Sequence, residues 1–223
     1  MFTKKKATAF VAAAFVLAGT SSALAGFVNP DVPDWRGDAN TLYGGWESFT
    51  NANNAPNFAE DGNMGFLGSI YNFSGSAIIA GSGNIYDPGG VLNMHHYVQG
   101  VDGDITDAVI NISTAGTDPN FAGAVFQWNG ANGESGFLST ANYDVNFEQV
   151  IPQFGTTYNV SWTFDLSDIA AQVTDIGFII QGTAPNMSYD AGAIDIRYAA
   201  VPAPGALALL GLAGFAGRRR RRG

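Results

Sequence analysis

The sequence predicts an all-β domain, a two-sheet antiparallel β-sandwich with short signal helices at the two ends of the chain. Residues 26–200 contain short runs of β-branched and aromatic residues in which apolar and polar side chains alternate, as in half-buried strands. Glycine, asparagine and aspartate are frequent between these runs, as turns require. Helical periodicity is poor. About eight to ten such strands favour a jelly roll, with an immunoglobulin-like topology as the alternative.

Nine segments carry the strand pattern. The clearest is 158–165, whose even positions are apolar or aromatic and whose odd positions are polar. Segment 176–181 is nearly all apolar, as in a strand buried on both faces. Residues 166–172 are predicted to form a short helix or turn, capped by Asp165 or Ser167. The nine segments are 41–49, 76–80, 93–98, 108–113, 122–128, 144–150, 158–165, 176–181 and 193–198.

The first 25 residues have the three parts of a secretory signal peptide. A positive start at Lys4, Lys5 and Lys6 precedes an apolar stretch over 7–18. The small residues Ala23 and Ala25 then form an A-x-A site, which predicts cleavage before Gly26. The apolar stretch is too short for a permanent membrane anchor. The chain is therefore predicted to be exported through the general secretion machinery and cut by signal peptidase.

The last 23 residues, 201–223, also have three parts. A rigid proline segment comes first, and an apolar run over 205–217 follows it. As a helix this run would be about 20 Å long, shorter than the roughly 30 Å hydrocarbon core of a bilayer. A terminal arginine cluster would remain on the cytoplasmic side. The proline segment is Val201, Pro202, Ala203, Pro204 and Gly205, and the cluster is Arg218, Arg219, Arg220, Arg221 and Arg222.

This tail resembles the PEP-CTERM sorting signal of Gram-negative and related bacteria. The likeness covers 201–223, although Ala203 stands where the family usually has glutamate. It implies processing by an exosortase-like membrane peptidase, transient anchoring in the inner membrane, and a final place at the cell surface or in an extracellular polysaccharide matrix. A plain membrane anchor that is never cut is the alternative. Segments 46–49, 162–167 and 193–196 also resemble jelly-roll domains that often precede this signal.

Charge excludes one class of partner. All nineteen carboxylates lie between Asp31 and Asp195, and the only cations within residues 26–200 are Arg36 and Arg197. Two arginines against nineteen carboxylates give residues 26–200 a net charge of −17. Such a surface repels phosphates, so nucleic acid is not an expected partner. The chain has no cysteine, which excludes disulfides, thiolate metal sites and cysteine catalysis within it.

Calcium is the one cofactor that the acidic loops suggest. Asp102 and Asp104 flank a glycine, and Asp107 follows them. Calcium takes six to eight oxygen ligands, usually from loops. The alternative is that these side chains make turns through hydrogen bonds to their own backbone.

Other chemistry has little support. The adjacent His95 and His96 would point to opposite faces of a strand, so they are poor partners for one metal. No G-x-S-x-G or H-E-x-x-H motif occurs. Trp46, Trp128 and Trp162 alternate with strand residues and are predicted to lie in the core. Trp35, in a loop, is the expected exposed aromatic.

Three functions remain from the sequence. The leading one is an exported, non-enzymatic protein of the cell surface or extracellular matrix, processed through its C-terminal signal. The alternative is a calcium-assisted carbohydrate-binding module, with polysaccharide as partner. The second alternative is a secreted glycoside hydrolase that uses paired acidic residues.

Overall fold

The computed structural model describes residues 26–201. Ala23 and Ala25 of the predicted cleavage site, residues 202–205 of the sorting motif and the arginine cluster lie outside the described residues. No helix within 26–201 is long and apolar enough to cross a membrane. Fourteen strands are present: β1 Thr41–Trp46, β2 Asn57–Phe58, β3 Asp61–Gly62, β4 Gly68–Asn72, β5 Ile78–Ile79, β6 Ile85–Asp87, β7 Asn93–Val98, β8 Asp104–Gly116, β9 Val125–Gly130, β10 Ser135–Leu138, β11 Asp144–Ile151, β12 Gly155–Asp165, β13 Val173–Gln181 and β14 Met187–Ala199.

The strands form two antiparallel sheets, as predicted. Sheet A has the order β11-β12-β8-β14-β1-β3, and β6 extends it by pairing with both β14 and β5. Sheet B has the order β10-β9-β13-β7-β4-β2. The preference for a jelly roll over an immunoglobulin-like topology stays a prediction.

The core lies between the facing sides of the two sheets. Aromatic rings meet across it: Phe126 of sheet B stacks on Phe164 of sheet A with ring centroids 3.8 Å apart. The ring centroids of Trp162 in sheet A and Phe178 in sheet B are 4.7 Å apart. Trp46 and Trp162 are buried, as predicted. Trp128 is only partly buried and packs against the core. A tilted pair such as Trp162 and Phe178 stabilises the interior beyond the burial of its area.

Alternation located most of the strands but not their ends. Segment 93–98 matches β7, whereas β8 and β14 extend several residues beyond their predictions. Segment 76–80 shrinks to Ile78–Ile79, and 122–128 begins only at Val125 because a 3-10 turn occupies Phe121–Gly123. The short strands β2, β3, β4, β6 and β10 were not predicted. Residues 166–172 form a turn, in which Asp165 Oδ1 accepts hydrogen bonds from the Ser167 amide (2.9 Å) and hydroxyl (2.6 Å).

Candidate functional site

The chain itself covers the middle of the outer side of sheet A. Residues 26–40, here called the N-terminal strap, cross β12, β8 and β14 without adding a residue to the hydrophobic core. Gly26 packs so closely on β14 that a Cβ built on it would lie 2.6 Å from Ala191 Cβ. Only glycine therefore fits at this contact.

Amide side chains of the sheet hold the backbone of the strap. Asn111 Oδ1 accepts from the Asp31 amide at 2.8 Å, and Asn111 Nδ2 donates to the Asp31 carbonyl at 2.9 Å. Asn159 Oδ1 accepts from the Val28 amide. Asn111 thus satisfies both backbone groups of one strap residue, as a neighbouring strand would. These polar outward residues are buried because the strap covers them.

An ion pair fixes the end of the strap. The Arg36 guanidinium donates through Nε to Asp195 Oδ1 at 2.5 Å and through Nη2 to Asp195 Oδ2 at 2.6 Å. Asp195 is 0% exposed. Burial raises the pKa of Asp195, and the bond to Arg36 opposes that rise. The same guanidinium lies 4.0 Å from the centre of the Tyr43 ring.

The outer side of sheet B is open and carries a different set of side chains. Along β7, Met94, His96 and Val98 are buried, so the residues between them point outward. Aromatic and amide side chains of β4, β7 and β13 meet on this side, which we call the aromatic face. Its members are Tyr71, Phe73, Asn93, His95, Tyr97 and Gln181.

The rings of the aromatic face pack against one another. Tyr71 and Phe73 are parallel, with an angle of 6° between planes and centroids 5.5 Å apart. Tyr97 meets Tyr71 edge-on at 5.9 Å, and His95 meets Phe73 edge-on at 4.7 Å. Phe73 remains 42% exposed. Mutual contact limits the rotamers of these rings, so the face is a preformed surface.

A chain of hydrogen bonds orders the polar groups of the face. Asn93 Oδ1 lies 3.0 Å from His95 Nε2 and accepts from Gln181 Nε2 at 3.1 Å. Tyr97 Oη lies 2.8 Å from His95 Nδ1. A carbonyl oxygen only accepts, so His95 Nε2 carries the proton and Nδ1 accepts from the Tyr97 hydroxyl. Burial lowers the pKa of His95, which favours this neutral form.

His96 points inward, which confirms that the two adjacent histidines lie on opposite faces. Its Nδ1 donates to the Phe178 carbonyl at 3.1 Å, and its Nε2 accepts from the Tyr189 hydroxyl at 2.6 Å. Complete burial lowers the pKa of His96 to about 4. This imidazole therefore joins the two sheets as a neutral group.

The aromatic face continues toward β9 and β10. There an open cleft of about 730 Å³ is lined mainly by apolar and aromatic side chains. Phe137 on its rim is 72% exposed, and Phe121 stacks on Tyr143 with centroids 5.0 Å apart. Val125 belongs both to this cleft and to the outer side of sheet B. The open surface thus reaches from β4 to β10.

The predicted calcium site is not assembled. Asp104 Oδ1 accepts from the Val173 amide at 2.8 Å, and Asp107 forms an ion pair with Arg197 at 2.8 Å. Asp102 is exposed. Within residues 26–201 no group of three or more acidic or histidine side chains is placed to hold a metal ion. Partners distant in sequence occupy two of the three carboxylates.

Trp35, the aromatic expected to be exposed, is less open than predicted. Trp35 lies in the strap and is only partly exposed, with the Arg197 guanidinium 5.6 Å from the centre of its ring. The rings of the aromatic face were missed. The alternation of Asn93, His95 and Tyr97 in one strand was their only local signal.

Comparison with known proteins adds little. No family model matches the chain, and no curated protein matches it. Among solved structures, the enzymatically active domain of tailspike protein 4 from bacteriophage CBA120 aligns with 73% of this chain and 20% of its own. The identity is 8% and the TM-score 0.26. A likeness at this level carries no argument about function.

Proposed function

We propose that this chain is an exported, non-enzymatic protein of the cell surface or extracellular matrix that binds polysaccharide through its aromatic face. The open aromatic and amide surface of sheet B carries this proposal. This surface is uncharged, and its rings offer flat apolar area beside amide and hydroxyl groups. On the opposite face of the sandwich, the strap covers the middle of sheet A across β12, β8 and β14.

Sugar rings suit this combination of groups. A pyranose presents C–H groups on its faces, which pack on the faces of aromatic rings, and hydroxyls at its edge. Amides both donate and accept hydrogen bonds, so they match hydroxyls of either orientation. Within the described residues, the Asn93 amide nitrogen and the Gln181 carbonyl oxygen make none of the side-chain bonds that order the face. They are the groups available to a ligand.

The proposal replaces calcium-assisted binding with binding that needs no metal. Asp104 and Asp107 already have protein partners, and neither lies on the outer side of sheet B. Binding through stacked rings and amides requires no cation. Chelation should then leave affinity unchanged.

Binding without cleavage is favoured by the distribution of carboxylates. Glycoside hydrolysis generally needs two carboxyl groups that flank the scissile bond. Four open clefts of the described domain are each lined by at most one carboxylate: none, Asp118, Asp144 and Glu60 respectively. This arrangement supports a binding protein over the hydrolase.

The localisation of the protein is proposed from the signals at the two ends of the chain. The signal peptide over 1–25 would bring it to the secretion machinery and signal peptidase. The tail over 201–223 would hold it in the inner membrane until an exosortase-like peptidase acts. An acidic domain that binds polysaccharide fits the matrix to which this type of tail leads.

The test uses residues 26–201, which contain both sheets and the whole buried core. Affinity electrophoresis in gels that contain the producing cell's matrix polysaccharide should retard this domain, with calcium or with chelator. Phe73→Ala should weaken retardation about tenfold, since one stacked ring contributes up to about 1.5 kcal/mol. Phe154→Ala is the matched control, because Phe154 is 77% exposed at the distant β11–β12 turn. The proposal is contradicted if the unchanged domain is not retarded, or if Phe73→Ala and Phe154→Ala weaken its retardation equally.

A further inference from the structure

We infer that the ligand of the aromatic face is an uncharged polysaccharide chain that lies across the strands of sheet B, from Tyr71 to Phe137. This inference rests on the proposed function and specifies its ligand. It follows from the register of the sheet, from the one position in the middle of the face that lacks a side chain, and from the location of the two arginines.

The register aligns the outward side chains in rows that cross the strands. In one row Tyr71 pairs with His95, His95 with Ile179, and Ile179 with Val125. A parallel row runs through Tyr97, Gly177, Gln127 and Phe137. Both rows begin in the aromatic face and end at the apolar cleft. A ligand that uses both ends of this surface must therefore run across the strands.

The two rows together extend from β4 to β10, and this width excludes a ligand of one or two sugars as the full occupant. From β4 to β10 there are four strand spacings, which at about 4.8 Å each cover roughly 19 Å. A disaccharide covers only part of that distance. An extended oligosaccharide can contact the aromatic rings at one end and Phe137 at the other.

Gly177 leaves room for an amide at the centre of the surface. It lies between Tyr97 and Gln127 in the second row. A Cβ at this position would lie 2.7 Å from Gln127 Nε2, so the side chain of Gln127 lies over the buried glycine. A ligand chain that crosses the sheet therefore meets the Gln127 amide at this point. The backbone of Gly177 is ordinary extended strand, so the missing side chain, not an unusual torsion angle, is what allows this contact.

Charge selects a neutral chain. Both arginines of the described domain lie on the sheet A side, paired with Asp195 and Asp107. The aromatic face thus has no arginine or lysine within residues 26–201, and Asp175 stands on the same side of sheet B, opposite Asn129. A uronate or sulfated polysaccharide would meet a domain of net charge −17 without a cation to pair with. A neutral hexose chain meets no such repulsion.

Isothermal titration with β-1,4-linked glucose oligomers tests length and charge together. We expect the affinity to rise at least about tenfold from the disaccharide to the tetrasaccharide and to level off by the hexasaccharide. A polyuronate should not bind at low salt. Equal affinity for disaccharide and hexasaccharide, or preference for the polyuronate, overturns the inference. If no glucose oligomer binds while the matrix polysaccharide still retards the domain, this inference fails and the proposed function stands.

Gly177→Thr tests the path across the sheet. The added side chain displaces the Gln127 amide from the centre of the surface, so the affinity for the hexasaccharide should fall to that for the disaccharide. Gly81→Thr is the matched control, because a Cβ at Gly81 meets nothing within 4 Å. Thermal melting of both variants checks that each is folded. A Gly177→Thr protein that melts normally and still favours the hexasaccharide contradicts the crossing path.

Discussion

The two outer faces of the sandwich differ in what covers them. On sheet A, buried amides and one buried carboxylate bind the N-terminal strap, so the chain closes that face itself. On sheet B, aromatic and amide groups bind one another and leave their outer surface open. The strap buries the polar residues of sheet A and also provides their hydrogen-bond partners, which offsets the cost of burying them. Those of sheet B need no cover.

The comparison separates stability from binding. The strap adds no residue to the hydrophobic core, so its attachment depends on hydrogen bonds and on the pair between Arg36 and Asp195. Changes on this side should alter the free energy of unfolding and leave ligand affinity unchanged. Changes at the aromatic face should do the reverse.

Breaking the ion pair of the strap should have the largest effect. Arg36→Ala leaves the Asp195 carboxylate buried without its partner, which typically costs about 3–5 kcal/mol. Urea unfolding of residues 26–201 measures this loss. Arg197→Ala is the control, because the Arg197 side chain is 48% exposed and exposed pairs contribute at most about 1 kcal/mol. A similar loss of unfolding free energy in the two variants would mean that the buried Asp195 carboxylate does not need Arg36 as its partner.

Acid should weaken the contact between the two sheets through His96. The pKa of His96 is lowered to about 4 in the folded protein, against a usual value of 6.5. The unfolded chain therefore takes up the proton first, and stability that is complete above pH 6.5 is lost as the pH falls toward about 4. At pH 5 the loss is about 2 kcal/mol by linkage.

The control for this prediction keeps the packing but removes the titration. His96→Gln should lower stability at every pH while abolishing the difference between pH 7.5 and pH 5 that His96 contributes. Urea midpoints at the two pH values measure it. An unchanged pH difference in His96→Gln would assign the acid sensitivity to other groups.

The smallest effect is expected at the hydroxyl of Tyr97. Tyr97→Phe keeps the ring and removes the donor to His95 Nδ1. Stacking with Tyr71 should persist, so affinity should fall only about threefold, and the free energy of unfolding should change by less than about 1 kcal/mol. Titration calorimetry and urea unfolding measure the two quantities. A loss of all binding would mean that the hydroxyl, not the ring, is the main contact.

The fold was more predictable from sequence than the site, for a physical reason. Strand alternation is local, so β7 and the opposite directions of His95 and His96 were predicted correctly. Asn111 and Asn159 hold the strap, and they are 80 and 131 residues from their partners in the chain. Local sequence patterns do not indicate contacts over such separations. The partners of Asp104 and Asp107, Val173 and Arg197, are distant in sequence in the same way.

The most direct test of the account maps both faces at once. Backbone amide shifts of isotope-labelled residues 26–201 would be followed by NMR as the matrix polysaccharide, in soluble fragments, is added. We expect perturbations at Tyr71, His95, Tyr97 and Gly177 on sheet B, with the strap unchanged. Perturbations confined to the strap and to Asn111 and Asn159 would contradict the account, because the ligand would then bind the face that the chain closes.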